Sequence, residues 1–162
     1  MADATLVAMH DHDPDSSLHD RITRLEDIAA IHTLKARYAA GSDVCLCTPG
    51  HDQAVALAEL FTADAFTDYG PFGSFTGRAE IVRAFAEVLP GAATWSRHHV
   101  TNPIITVDGR EATASFYFIL AAVMRGAPGP ATLWGGYEDR LVKADDGWRF
   151  SQLIVRFAEP PR

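Results

Sequence analysis

Past Trp95 the chain runs in long stretches with the short apolar period of extended backbone, punctuated by Asp108-Gly109, RGAPGPA and Asp146-Gly147. An Asp-Gly pair between two such runs supplies the positive φ that a tight hairpin needs. The spacing predicts four strands, about 97–107, 111–124, 131–143 and 147–157, joined as an antiparallel meander. Before Trp95 the period is helical. Ile22, Leu25, Ile28, Ile31, Leu34 and Tyr38 fall three or four apart, predicting a helix with Asp20 as N-cap and Gly41 as its end. A second helix is predicted near Gln53 to Phe61 and a third from Arg78 to Leu89, with VCLCTPGH an irregular segment and ADAFTDYGPFGSFTG a short strand and turn. Helices grouped ahead of long antiparallel strands define an α+β domain in which a curved antiparallel sheet wraps the helices and encloses a pocket.

A length of 162 residues allows one domain, read as 20–162, behind an acidic tail at 1–19 that has three histidines and no Lys or Arg. The net charge of −7 without a basic cluster argues against nucleic acid or an anionic membrane as partner. No apolar run reaches the roughly 18 residues of a membrane span, and the acidic start is unlike a signal peptide, so the expectation is a cytoplasmic protein. Cys45 and Cys47 are the only cysteines, and no second pair could complete a tetrahedral metal site. HDHD at 10–13 reads as a solvated tail before it reads as a chelator. The chain has no G-x-S-x-G elbow, which leaves nucleophilic catalysis little support, and GPFGSFTG lacks the context of a phosphate loop, so no nucleotide is expected; nor is a metal or other organic cofactor.

Chemistry concentrates in WSRHHVTNP, residues 95–103. A strand sends neighbours to opposite faces, so only one of His98 and His99 can look inward, and periodicity does not choose between them because neither alternate set is plainly polar. The first helix offers partners: Tyr38 closes its apolar stripe and Asp43 follows past Gly41. A carboxylate beside an imidazole fixes its tautomer and poises it as an acid or base, although Asp43 could equally cap a turn. Tyr69, Phe72, Trp95, Tyr117, Trp134 and Tyr137 supply the aromatic area of a cavity for a flat or polycyclic ligand.

LEDIAAIHTLKARYAAGSD, LFTADAFTDYGPFGSFTGRAEIVRAF, RHHVTNPIITVDGREATASFYF and YEDRLVKADDGWRFSQL, in that order over about residues 20–157, resemble the SnoaL-like branch of the nuclear transport factor 2-like superfamily. The resemblance implies a cone-shaped α+β barrel with an apolar cavity, assembled as a homodimer or larger homo-oligomer through the outer sheet face. It also implies a cofactor-independent lyase of dehydratase type, or an isomerase, acting on a small apolar, cyclic or polycyclic substrate. Other members are polyketide cyclases, or binding and assembly subunits such as those of ring-hydroxylating oxygenases, and a fold alone does not decide among these. Carried over residue by residue, Asp43, Tyr38 and a histidine of HHVTN occupy the catalytic places, and the dehydrochlorinase-like spacing H-x-x-x-N selects His98, with Asn102 expected among the substrate-binding residues. The scytalone dehydratase-like members have a further histidine on a later strand; here none follows His99, and that region reads LWGGYEDR.

Overall fold

The computed structural model of the protein describes residues 17–48 and 50–158; the tail, with its HDHD, lies outside the described residues apart from its last three positions. Those three give the cap and the first two residues of the first helix, α1 (Leu18–Cys47). Its N-cap is Ser17, whose hydroxyl accepts from the Asp20 backbone N–H while the Asp20 carboxylate turns back to the Ser17 N–H, a reciprocal capping box. Asp20 is therefore the third residue of the helix and not its cap. The stripe that α1 buries starts at Asp27 and runs through Ile31, Leu34, Lys35, Tyr38, Ser42, Asp43 and Cys45, whereas Ile22 and Leu25 project into solvent.

Gly41 does not end α1. A Cβ at this position would lie 2.7 Å from Leu57 Cδ1, so the missing side chain lets α2 (His51–Ala58) pack closely across α1. The helix continues through VCLC to Thr48, and Asp43 is thus a helical residue on the buried face. β1 (Phe61–Asp68) and β2 (Ser74–Thr76) form a hairpin around a short turn at Gly70–Phe72, where one short strand was expected. α3 (Arg78–Arg83) runs on as a wider π turn over Ala84–Val88.

Four long strands follow: β3 (Ala93–Asp108), β4 (Glu111–Met124), β5 (Pro130–Ala144) and β6 (Gly147–Ala158). They make the expected antiparallel meander, and β1 joins β6 in parallel, giving a six-stranded sheet of order β2-β1-β6-β5-β4-β3. The sheet is mixed and curls around the helices without closing. Part of the curl is written into β5, where a Cβ on Gly135 would meet Arg156 O and the Phe118 ring at 2.3 and 2.5 Å. Along β4 the alternate residues Ala112, Ala114, Phe116, Phe118, Leu120 and Ala122 are buried on the inner face of the sheet, while Tyr117 between them is exposed. Phe61, Phe150, Ile31, Ile81, Leu141 and Leu153 are fully buried in the core; removing such a side chain from water contributes about 1.5–3 kcal/mol. No helix among the described residues is long and apolar enough to cross a membrane.

Candidate active site

The wide end of the cone holds a cavity of about 140 Å³. Leu46, Phe72, Phe85, Leu89, Phe118, Leu120, Met124, Val155 and Phe157 give it apolar walls, and Phe85, Val88 and Leu89 reach it from the π turn and its end. The polar side chains that line it are His98, Tyr38, Ser42, Tyr69 and Tyr137. Among the described residues no Asp, Glu, Lys or Arg lines the cavity, so a ligand meets hydroxyls and one imidazole in an apolar surround.

His98 points inward and His99 outward. The pairing of β3 with β4 shifts between Thr101 and Ile104, and at that shift Asn102 adopts a positive φ of 52°. Before it the even residues His98 and Val100 face inside; after it the odd residues Ile105 and Val107 do. The bulge explains why neither alternate set looked polar in the sequence. It also corrects Asn102, which is exposed at the bulge and not part of the cavity.

Behind His98 sits Asp43. Its Oδ1 lies 2.8 Å from His98 Nδ1 and accepts from Ser96 Oγ at 2.8 Å, while its Oδ2 accepts from the His98 backbone N–H at 3.0 Å. The side chains of His98 and Asp43 are only 8% and 6% exposed. Burial pushes the Asp43 carboxyl up, but the bonds from the His98 ring and backbone and from Ser96 outweigh it and hold the group below its ordinary value. An ionised Asp43 accepts Nδ1–H, which leaves Nε2 as the free nitrogen of His98.

Besides this pair, Tyr38, Ser42 and Tyr69 bring three hydroxyls to the cavity. Burial pushes the Tyr38 and Tyr69 phenols up, so both remain protonated donors near neutral pH. The Ser42 and Tyr69 hydroxyls lie near enough to Tyr38 to influence its ionisation, yet neither makes a well-formed hydrogen bond of its own. An unpartnered buried hydroxyl is costly, and a ligand oxygen would satisfy it.

Of the aromatic residues singled out in the sequence, Tyr69, Phe72 and Tyr137 line the cavity. Trp95, Tyr117 and Trp134 do not: they are 45, 67 and 46% exposed, Tyr117 and Trp134 on the convex face of the sheet and Trp95 beside the first register shift of β3. The sequence reading missed Ser42 and Ser96. Ser42 lies four residues after Tyr38 and would share its face once α1 is carried past Gly41; Ser96 stands two residues before His98 and hence on its side of β3. Cys45 and Cys47 are free thiols, and among the described residues no group of three or more His, Cys, Asp or Glu could hold a metal ion.

A curled sheet around a long helix, open at one end onto an apolar cavity with a histidine–aspartate pair at its wall, defines an α+β fold of the cone type. The chain belongs to the SnoaL-like domain family, whose model matches residues 23–154. An uncharacterized protein of Mycobacterium tuberculosis strain H37Rv is 27% identical over 99 residues, covering 60% of this chain and 67% of that one. Among solved structures, a provisionally named scytalone dehydratase of Novosphingobium aromaticivorans superposes with a TM-score of 0.75 at 24% identity, covering 86% of this chain and 89% of its own. A nuclear transport factor 2-like protein from the same organism gives 0.72 at 24% identity, with 92 and 93% coverage. A hexachlorocyclohexane dehydrochlorinase from Novosphingobium barchaimii gives 0.70 at 17% identity, with 86 and 91% coverage. At these identities the structural likeness establishes the fold.

Proposed function

We propose that the protein is a cofactor-independent acid/base lyase of dehydratase type, or an isomerase, for a small, neutral, oxygen-bearing cyclic substrate. The observation that carries this reading is the Asp43–His98 contact of 2.8 Å at the wall of an otherwise uncharged cavity. His98 Nε2 takes a proton from a carbon next to a carbonyl, and the electron pair of that C–H bond moves into a new C=C bond. In elimination a neighbouring hydroxyl leaves with its bonding pair and receives a proton from Tyr38 or water, so the net loss is one water. In isomerisation the proton returns to another carbon of the same conjugated system. Groups of this kind contribute about 10²- to 10⁴-fold each. The solved relatives named for eliminations agree with this reading in fold, and the open cavity favours it over an assembly-subunit role, which has no need of one.

The test uses nitrobenzisoxazole, whose ring opens when a base removes its C–H proton and the N–O bond breaks to give a coloured phenolate. Turnover that falls by about 10² or more in His98→Ala and Asp43→Asn supports the proposal; turnover unchanged in both folded variants refutes it. We further infer that Tyr117 and Trp134 on the convex sheet face meet a second copy of the chain, which light scattering of Tyr117→Glu against the parent protein checks by a loss of mass.

A further inference from the structure

Below the cavity floor lies a second pair. Lys35 Nζ donates to Asp139 Oδ2 at 2.9 Å, and both residues are buried, at 1 and 3% exposure. The ammonium sits 3.3 Å from the centre of the Tyr137 ring and 4.9 Å from that of Tyr38, with Phe116 and Phe150 at 5.2 and 5.3 Å. Asp139 Oδ1 has no hydrogen-bond partner. A buried ion pair of this sort is weak evidence for stability, because apolar residues of similar volume commonly serve the fold as well or better.

Its place in the fold suggests another use. Lys35 is one helical turn before Tyr38 on α1, and Asp139 is two residues after Tyr137 on the same side of β5. The pair thus clamps helix to sheet beneath the two phenols that line the cavity, whose rings meet edge to face at 5.9 Å. We propose that Lys35 and Asp139 are positioning residues of the pocket, holding the Tyr137 and Tyr38 rings in place through the caged ammonium, and that proton loss from this pair releases the rings. The proposal rests on the cavity being the substrate site, as argued above.

The groups that face the ammonium are Tyr38 on α1, Phe116 on β4, Tyr137 and Asp139 on β5, and Phe150 on β6; of these only Asp139 and the two high-lying phenols titrate. Burial pulls Lys35 down to about 8, with Asp139 working against it, and burial pushes the Asp139 carboxyl up. Mutual attraction alone keeps the pair charged, and loss of the ammonium proton in modest alkali leaves the Asp139 carboxylate buried without its counter-charge and the rings without the ammonium between them.

Lys35 and Lys143 are the only lysines, and there are four tyrosines, so carbon-13 labels on both residue types resolve the groups individually. Between about pH 6 and 10, a span reaching towards the ordinary lysine value, the Lys35 Cε signal should titrate, and the Tyr38 and Tyr137 ring signals should move with the same midpoint. Exposed Tyr117 should not follow. The affinity for indanone, a neutral bicyclic ketone, should weaken over the same range. In Lys35→Met with Asp139→Leu, which removes both charges at similar volume, the ring response should vanish and indanone affinity should fall about tenfold, less than the 10²-fold cost of misplacing a reacting group by about 1 Å.

A Lys35 that titrates without moving either ring, a Lys35 that stays protonated throughout, or a folded double variant that keeps the parent pH response and affinity would each overturn the proposal. The ring signals need no ligand. Indanone that fails to bind at any pH counts against the cavity as a substrate site, and the ring response in the parent protein still decides whether the pair holds the phenols.

Discussion

Two carboxylate–nitrogen pairs tie α1 to the sheet, Asp43–His98 at the cavity and Lys35–Asp139 beneath it, at nearly equal distances of 2.8 and 2.9 Å. In the first the helix supplies the acid; in the second it supplies the base. Both carboxyls are buried, yet Asp43 is held below its ordinary value and Asp139 is pushed above it. The difference is the number of donors. Asp43 accepts from a ring nitrogen, a backbone N–H and a serine hydroxyl, whereas Asp139 accepts from one ammonium and leaves an oxygen bare. Burial alone does not set the charge of a carboxyl; the hydrogen bonds it collects decide whether desolvation wins.

The largest expected effect separates the two pairs by function. His98→Ala and Asp43→Asn should lower the turnover of nitrobenzisoxazole by about 10²- to 10⁴-fold, read by steady-state absorbance, without a comparable fall in unfolding midpoint. The lower pair should respond in the opposite sense. Lys35→Met alone strands a buried Asp139 and should cost about 3–5 kcal/mol in urea denaturation, while Lys35→Met with Asp139→Leu should restore the parent stability or exceed it. A double variant as unstable as the single one would mean that the lower pair is needed for the fold itself.

The hydroxyl cluster sits between these extremes. Ser42→Ala and Tyr69→Phe each remove an unpartnered buried hydroxyl, so the fold should be unchanged or firmer by about 1 kcal/mol, while indanone should bind several-fold more weakly in titration calorimetry. Acid sharpens the upper pair further. Because the folded value of Asp43 lies below its unfolded one, the stability it contributes is fully present above about pH 4 and is lost as pH falls through the folded value. Denaturation midpoints measured down the acid range should show this loss in the parent and a smaller one in Asp43→Asn. The smallest effect belongs outside the cavity: Trp134→Ala on the convex face should change turnover by less than about twofold, as surface substitutions seldom matter more.

Much of the fold was legible because the two periods differ so plainly. Helical spacing up to Leu89, strand spacing after Trp95 and the Asp-Gly turns fix the three helices and the meander. Gly41 misled because a glycine serves close packing as readily as helix termination, and the sequence does not show Leu57 lying across it. The parallel pairing of β1 with β6 is a long-range contact with no local signal. For the site, the family resemblance picked out His98, but the spacing that selected it ended on Asn102, a bulge residue whose role is to reset the alternation of β3. Trp95, Tyr117 and Trp134 read as cavity residues because aromatic residues on strands look alike from either face; only register separates Phe118 inside from Tyr117 outside. Lys35 and Asp139 escaped notice because each reads as an ordinary charged surface residue until α1 and β5 are brought together.

The most direct test of the proposed chemistry follows one proton. Indanone carries exchangeable hydrogens next to its carbonyl, and their replacement by deuterium in heavy water can be followed by NMR with and without the protein. Exchange that is faster than in buffer, and that falls by about 10² or more in both His98→Ala and Asp43→Asn, is the result expected of a base held by Asp43 at the cavity wall. Indanone that binds yet exchanges no faster than in buffer, or exchanges equally fast in the two variants, would contradict the assignment of His98 as that base.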